Sequence, residues 1–484
     1  MGDCNTKAHG RCEVTEIKEK CGIFGVYSYS GSDVIPLMIT GLRALQHRGQ
    51  EAWGISTSTI NPCKQKGLLT ENLEKSVPIL EKMTSNAAIG HLRYSTVGGS
   101  SLKHAQPTAI GNNFAIAHNG TISDTTTLEK NLKERGISPN GCNDTTLAGY
   151  RLQTLLKENN RDWYGAIEKL AEELVGAYCF LIITNDGKVF AIRDTRGFRP
   201  LCIGYHKQTE SYIFASESCA LYVMGASLVR DVKQGEVVRL DKNGMDSFSF
   251  YKGERATHCA FEYSYFAHPS SIIDGRSVYH ARKELGKQLA MLYNGGADVV
   301  VPVPDSARPA ALGYAMESGI EFEEGLMKDR YAKRGGIRSF IEPKMVDRER
   351  INRWMVAVKE IVNNKDVIVV DDSIVRGTSA PNIIKTLRNA GAKSVKMVVT
   401  FPPITNPCHA GINFPTHQEL VAYRTCGGNA TVERANREVA KAIGADAVGY
   451  NGIKQLCKGI GLKETELCLS CNTGDYRCLK RTSD

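Results

Sequence analysis

The segment VIVVDDSIVRGTS, residues 367–379, decides how the second half of the chain is read. Val367 to Val370 are four β-branched residues, the composition of a parallel strand buried on both faces. Asp371 and Asp372 follow at once. Ser373, Arg376, Gly377, Thr378 and Ser379 then supply a loop rich in small and hydroxylated residues. The spacing of Ile383, Ile384 and Leu387 predicts a helix that ends near Gly391. Strand, loop and helix in that order present loop amides and a helix N-terminus to an anion. No Gly-Lys-Ser/Thr follows, so this is not a Walker loop. Two acids beside a phosphate cradle suit a ligand with hydroxyls or a metal next to its phosphate, such as a ribose phosphate.

Around this segment, from about Asp274 onward, helical and apolar strand patterns alternate at 278–292, 299–302, 307–316, 367–370, 380–390 and 395–400. That is the rhythm of a parallel sheet with crossover helices. The chain before it reads differently. Strand patterns near residues 21–29, 51–56, 90–96 and 114–120, helices near 124–135, 144–157 and 163–174, and further strands from 176 to 250 predict a layered α+β domain. The boundary is expected within 259–275. Residues 1–20 are polar without periodicity and read as a disordered arm or a removable leader.

A length of 484 residues allows two or three domains. A chain 42% hydrophobic and 23% charged is ordinary for a globular protein. The net charge of +9 is spread along the chain. With no dense Lys/Arg block, it favours small anionic ligands and excludes a nucleic-acid footprint. No apolar run approaches the roughly 18 residues of a membrane span. The first 20 residues lack the apolar core of a secretory signal, and their acids argue against a transit peptide. A cytoplasmic location is therefore expected. In such a compartment 15 cysteines point to thiol chemistry or metal binding rather than disulfides.

Two cysteine features follow. Cys21 opens the strand pattern CGIFGVYSY. A nucleophilic thiol needs a base. Cleavage between Lys20 and Cys21 would free an α-amino group, whose pKa of about 7.7–8.0 suits that task. Taken alone, Cys-Gly is more often a small buried cysteine at a strand start. Farther on, Cys468-Leu469-Ser470-Cys471 is a CxxC near the C-terminus, by itself a weak signal for zinc, a redox pair or coincidence, with further cysteines upstream to complete a set of four. Four thiolates hold zinc or an iron–sulfur cluster, and spacing does not choose between them. His91, His104 and His118 are irregularly spaced and are read as turn braces rather than metal ligands.

Residues 367–379 resemble the signature of the type I phosphoribosyltransferases. Cys21-Gly22-Ile23-Phe24-Gly25, Leu45-Gln46-His47-Arg48-Gly49-Gln50-Glu51, Gly90-His91-Leu92-Arg93-Tyr94-Ser95-Thr96 and His118-Asn119-Gly120 resemble the glutaminase domain of N-terminal-nucleophile amidotransferases. Together they are similar to the amidophosphoribosyltransferase family, from Cys21 to Tyr476. The resemblance implies a propeptide at 1–20 and an αββα sandwich of the α+β class at 21–258. An α/β parallel-sheet phosphoribosyltransferase domain would follow at 259–484, ending in an iron–sulfur-ligating segment. It implies glutamine-dependent transfer of ammonia to phosphoribosyl pyrophosphate, giving 5-phosphoribosylamine, glutamate and pyrophosphate in purine synthesis.

The same resemblance implies residue roles. Cys21 is the nucleophile, with Asn119 and Gly120 as oxyanion donors. Arg93 takes the carboxylate of glutamine and Asp144 its amine. Asp371, Asp372, Ser373, Arg376, Gly377, Thr378 and Ser379 hold phosphoribosyl pyrophosphate, with Arg338 on a loop that closes over it. Ser306, Asp371 and Asp372 surround Mg²⁺, and Cys259, Cys408, Cys468 and Cys471 carry a [4Fe–4S] cluster. Purine nucleotides are implied as feedback inhibitors, and a homotetramer or dimer as the assembly. Departures are confined. The loop at 331–341 is four residues longer than the family's, Met355 stands where a lysine is usual, and Thr121 and Thr146 stand where Asn and Glu are usual.

Overall fold

Gly22–Ser28, directly after Cys21, is a central strand of the first half, and its alternation sets the layers. Phe24 and Val26 face one apolar cluster with Met38 and Leu42 of the helix Ile35–Ala44. Ile23 and Tyr27 face the opposite cluster, which Ala115, Ala117, Leu181 and Ile183 enter from a second sheet. Period-two alternation thus buries both faces of one strand. The computed structural model describes residues 21–93, 102–250, 253, 255–328, 355–412, 416–428 and 430–479. The expected propeptide at 1–20 and the loop bearing Arg338 lie outside the described residues.

The first sheet has seven strands in the order Ser227–Asp231, Cys202–His206, Ser211–Ala215, Gly22–Ser28, Ala87–Arg93, Ala52–Thr57 and Cys63–Lys66. The second has six, centred on Phe114–Asp124 paired antiparallel with Val175–Thr184. Asp144–Glu158 and Trp163–Glu173 cover its outer face through Leu152, Leu155 and Ile167. The result is the expected helix–sheet–sheet–helix sandwich. One local expectation differs. The sequence suggests a turn after Gly120, but pairing continues through Gly120↔Tyr178 and Thr121↔Ala177, so the strand runs on to Asp124.

The second half is built on a parallel sheet in the order Val299–Pro302, Asp366–Asp371, Ser394–Val399 and Ala447–Tyr450. Val367 and Val369 enter one cluster with Ile383, Ile384 and Leu387 of the helix Ala380–Asn389. Ile368 and Val370 enter another with Leu289, Ala310 and Tyr314. Both faces are apolar because helices cover both.

Buried charge joins the halves. Arg193 clasps Asp274 with two bonds of 2.7 and 2.8 Å. Arg48 and Arg199 both reach Glu262. No helix among the described residues is long and apolar enough to cross a membrane.

Candidate active sites

The antiparallel register places Gly22 opposite Leu92. Cys21 lies just before that pair and Arg93 just after it, at the end of its strand, where Arg93 is almost fully buried. Ile23 N–H donates to Ser216 Oγ at 2.9 Å, and Asn119 Nδ2 lies 3.4 Å from the same oxygen. Asn119 is thereby brought to the start of the first strand.

Gly120 has φ +143°, and a Cβ there would sit 2.0 Å from the Ala177 carbonyl oxygen. Only glycine fits both demands. Asp144 starts its helix after the Asn143 cap. Its carboxylate accepts from the amides of Ile122 at 3.1 Å and Thr145 at 2.7 Å. His118 Nδ1 lies 3.6 Å from it.

The histidines behave as braces. His91 reaches the His118 carbonyl at 3.1 Å, and burial pushes its pKa down to about 3, leaving it neutral. His118 Nδ1 pairs with Thr145 Oγ1 at 3.2 Å.

Sequence reasoning missed a charged relay beneath this site. Arg48 Nε donates to the Cys21 carbonyl at 3.0 Å. Its other nitrogens reach Glu217, and Glu262 at 2.8 and 3.0 Å. Glu262 Oε1 also accepts from Arg199 Nη1 at 3.0 Å, and Arg199 Nη2 donates to the Ala410 carbonyl at 2.7 Å. All four charged side chains are buried. Burial opposes ionisation of Glu262, but Arg48 and Arg199 outweigh it and hold its pKa below the usual range. Next to Ala410, Gly411 packs on Gly120 and Thr121. Arg48 lies inside a motif read above, whereas Arg199 and Glu217 carry no local pattern.

His47, Glu217 and Cys219 bring ligand atoms within 4.8 Å of one another. Glu217 is already occupied. Arg48 and His47 take one oxygen, and Ser271 and the His268 amide take the other. A guanidinium at that carboxylate disfavours a cation.

In the second half, Asp371 and Asp372 stand at the end of their strand as expected. Asp372 accepts from the hydroxyls of Ser306 and Ser373. Burial, then the neighbouring Asp372 charge, pushes Asp371 well above the usual carboxylate range. Gly377 has φ +71°, and Ser379 stands at the position before the helix Ala380–Asn389 without a side-chain capping bond. Thr378 sits between them. Arg376 is ion-paired to Glu419, so its side chain is partly committed within the protein.

The four predicted cysteines converge. Cys259 pairs with Cys468 across a short parallel bridge between His258–Cys259 and Leu467–Cys468. The Cys471 carbonyl accepts from the amides of Thr405 and Asn406, just before Cys408. All four line one cavity with Phe261, Ala410 and Ile412. Burial raises the pKa of Cys259 to about 11 and of Cys408 to about 12.

Comparison with known proteins agrees with both halves. A family described as Glutamine amidotransferase domain matches residues 91–223, and one described as Phosphoribosyl transferase domain matches 269–409. The chain is 41% identical over 483 residues to an amidophosphoribosyltransferase of Methanocaldococcus jannaschii, covering 94% of this chain and 97% of the relative. It is 38% identical to that of Bacillus subtilis, covering 96% and 95%. The solved B. subtilis glutamine phosphoribosylpyrophosphate amidotransferase, complexed with ADP and GMP, superposes with a TM-score of 0.83 at 37% identity, covering 94% of this chain and 97% of that one. Near-complete coverage of both partners at this identity means that the chain belongs to the amidophosphoribosyltransferase family, enzymes that join a glutamine amidotransferase domain to a phosphoribosyltransferase domain.

Proposed function

We propose that the chain releases ammonia from glutamine at Cys21 and transfers it to phosphoribosyl pyrophosphate at the Asp371–Ser379 loop. Cys21 attacks the side-chain amide carbon of glutamine, its freed α-amine, after removal of residues 1–20, passes the thiol proton to the departing nitrogen as the C–N bond breaks, and water then hydrolyses the thioester to glutamate. The side chain of Asn119 and the amide of Gly120 receive the oxyanion. Arg93 holds the α-carboxylate as a guanidinium fork, and Asp144 the α-amine. Ammonia passes within the protein to C1 of the sugar, displacing pyrophosphate. Asp371 and Asp372 take the ribose hydroxyls, while Ser373 and residues 376–379 take the 5′-phosphate. Arg338 belongs to the loop assigned to closure over this site. The observation that carries the reading is the placement of Asn119, through Ser216 and Ile23, at the start of the strand that Cys21 precedes, with Gly120 next to it in sequence and Arg93 ending the neighbouring strand.

Ser306, Asp371 and Asp372 offer the hard oxygen donors that Mg²⁺ takes. Bound there with the substrate, Mg²⁺ would offset the charge of the leaving pyrophosphate. Cys259, Cys408, Cys468 and Cys471 would hold a [4Fe–4S] cluster with a structural role. Zinc among four thiolates brings the sulfurs to about 3.8 Å of one another. Among the described residues, the ligand groups crowded within 4.8 Å do not include these cysteines. Their wider spacing favours the larger inorganic group. Purine nucleotides are assigned as regulators because the B. subtilis relative was solved with ADP and GMP.

The test is pyrophosphate and glutamate release measured side by side from glutamine and phosphoribosyl pyrophosphate. Both products are expected. Cys21→Ala removes the glutamine-driven reaction and spares the one driven by ammonium salt. Glutamate without pyrophosphate would move the acceptor elsewhere, and glutamine turnover in Cys21→Ala would refute the nucleophile. The amino-terminal residue of the active protein is expected to be Cys21.

A further inference from the structure

A fifth thiol stands beside the four. Cys478 Sγ lies 4.0 Å from Cys468 Sγ, and the Ser470 hydroxyl lies 3.3 Å from the first and 3.7 Å from the second. The position is built rather than incidental. Cys478 sits in the turn Arg477–Leu479. Tyr476 Oη fastens that turn to the Pro407 carbonyl at 2.7 Å, and Ser470 Oγ donates to the Asp475 carbonyl at 2.7 Å. Leu479, the next residue, lines the same cavity as the four cysteines. Cys478 is half-buried, so a small oxidant reaches it. Disulfide sulfurs lie about 2.05 Å apart, so closure needs side-chain rotation of roughly 2 Å at this site.

We propose that Cys478 is a resolving thiol for Cys468. When Cys468 is released from the group that the four cysteines hold, hydrogen peroxide converts the pair to a disulfide. The inference rests on the cysteine-cluster reading only for the condition of release. In the first step the Cys468 sulfur attacks peroxide, the O–O bond breaks, and sulfenic acid and water form. In the second the Cys478 sulfur attacks the sulfenic sulfur, an S–S bond forms, and the hydroxyl leaves as water with the thiol proton. Two thiols are oxidised by two electrons and one peroxide is reduced to two waters. The bond stops Cys468 from reaching the irreversible sulfinic state, and a dithiol reductant reverses it.

The test uses the full chain, both as isolated and after iron chelation, each treated with one equivalent of hydrogen peroxide to map the bond and with at least two to follow overoxidation, since sulfinic acid takes one equivalent for each of its two steps. Blocking of free thiols, digestion and mass spectrometry then locate the bond. In the chelated protein Cys468 and Cys478 are expected to be joined, with loss of two alkylatable thiols and their full return on reduction. In the Cys478→Ser variant Cys468 is expected to pass to sulfinic acid, and reduction fails to restore its thiol. A dominant Cys468–Cys471 bond, or equal recovery of Cys468 in the variant and the parent, overturns the proposal. Equal disulfide formation at equal rate in iron-loaded protein overturns the condition of release. Absence of iron in the isolated protein instead contradicts the cluster reading, and leaves the mapped bond to decide the thiol pair.

Discussion

Arg48 donates from Nε to the carbonyl oxygen of Cys21 at 3.0 Å, so the proposed nucleophile is anchored through its backbone by a fully buried cation. The same guanidinium neutralises Glu217 and Glu262. Removing one partner of such a buried network leaves charge without compensation. Arg48→Met is expected to lower folding stability by about 3–5 kcal/mol, read from urea or thermal unfolding. An unchanged midpoint would mean that water replaces the guanidinium without cost.

Gly120→Ala places a methyl group against the Ala177 carbonyl at a backbone angle that only glycine adopts readily. The strand must shift there, and the amide assigned to the oxyanion shifts with it. Loss of one such donor costs about 10²–10³-fold in turnover. Glutamine-dependent activity is expected to fall by that factor while ammonia-dependent activity stays near the parent value. An equal loss in both assays would assign the residue a purely architectural role.

Asp372 accepts from both Ser306 and Ser373, which ties two loops of the second half together. Asp372→Ala is expected to abolish pyrophosphate release from either nitrogen source, and to leave basal glutamate release intact. Ser306→Ala is expected to weaken Mg²⁺ binding and so to raise the Mg²⁺ concentration needed for half-maximal rate. Pyrophosphate release at the parent rate in Asp372→Ala would place the sugar phosphate elsewhere.

Asp231 supplies a pH dependence away from both sites. Burial, followed by the charge of Asp274, raises its pKa from 3.8 to about 6. The folded chain therefore holds a proton that the unfolded chain has released between those values. The stability contributed by this group is complete below about pH 4 and is lost as pH rises through about 6. Asp231→Asn carries no such titration. Its melting temperature should match the parent near pH 4 and exceed it at pH 7. Equal melting temperatures at both pH values would refute the shifted pKa.

The legible parts of this chain are those whose signal is local. The run from Val367 to Val370, with acids at its end, gave the buried strand because both of its faces are apolar. The helix Val278–Leu292 was legible from its periodicity and matches the predicted range. The strand Ala447–Tyr450 was not read. It is four residues long, begins with exposed Ala447 and includes Gly449, which fits against the ring of Tyr293. No periodicity announces so short an edge. The relay through Arg199 and Glu217 was also invisible, because its partners are far apart in sequence. An isolated Arg or Glu reads as surface until the fold pairs it. The cysteines were legible as a set through the family pattern. The approach of Cys478 to Cys468 is a product of the turn after Asp475, which that pattern does not contain.

The short parallel pairing of Cys259 with Cys468 has a consequence for biosynthesis. On a growing polypeptide the residue at 259 leaves the ribosome long before its partner. Cys408 emerges later, and Cys468 and Cys471 later still. The amidotransferase sandwich can thus finish folding while the seam beside it is still open. Only after translation has passed Cys471 does a complete set of four sulfurs exist for any inorganic guest, so loading of that guest follows synthesis of nearly the whole chain.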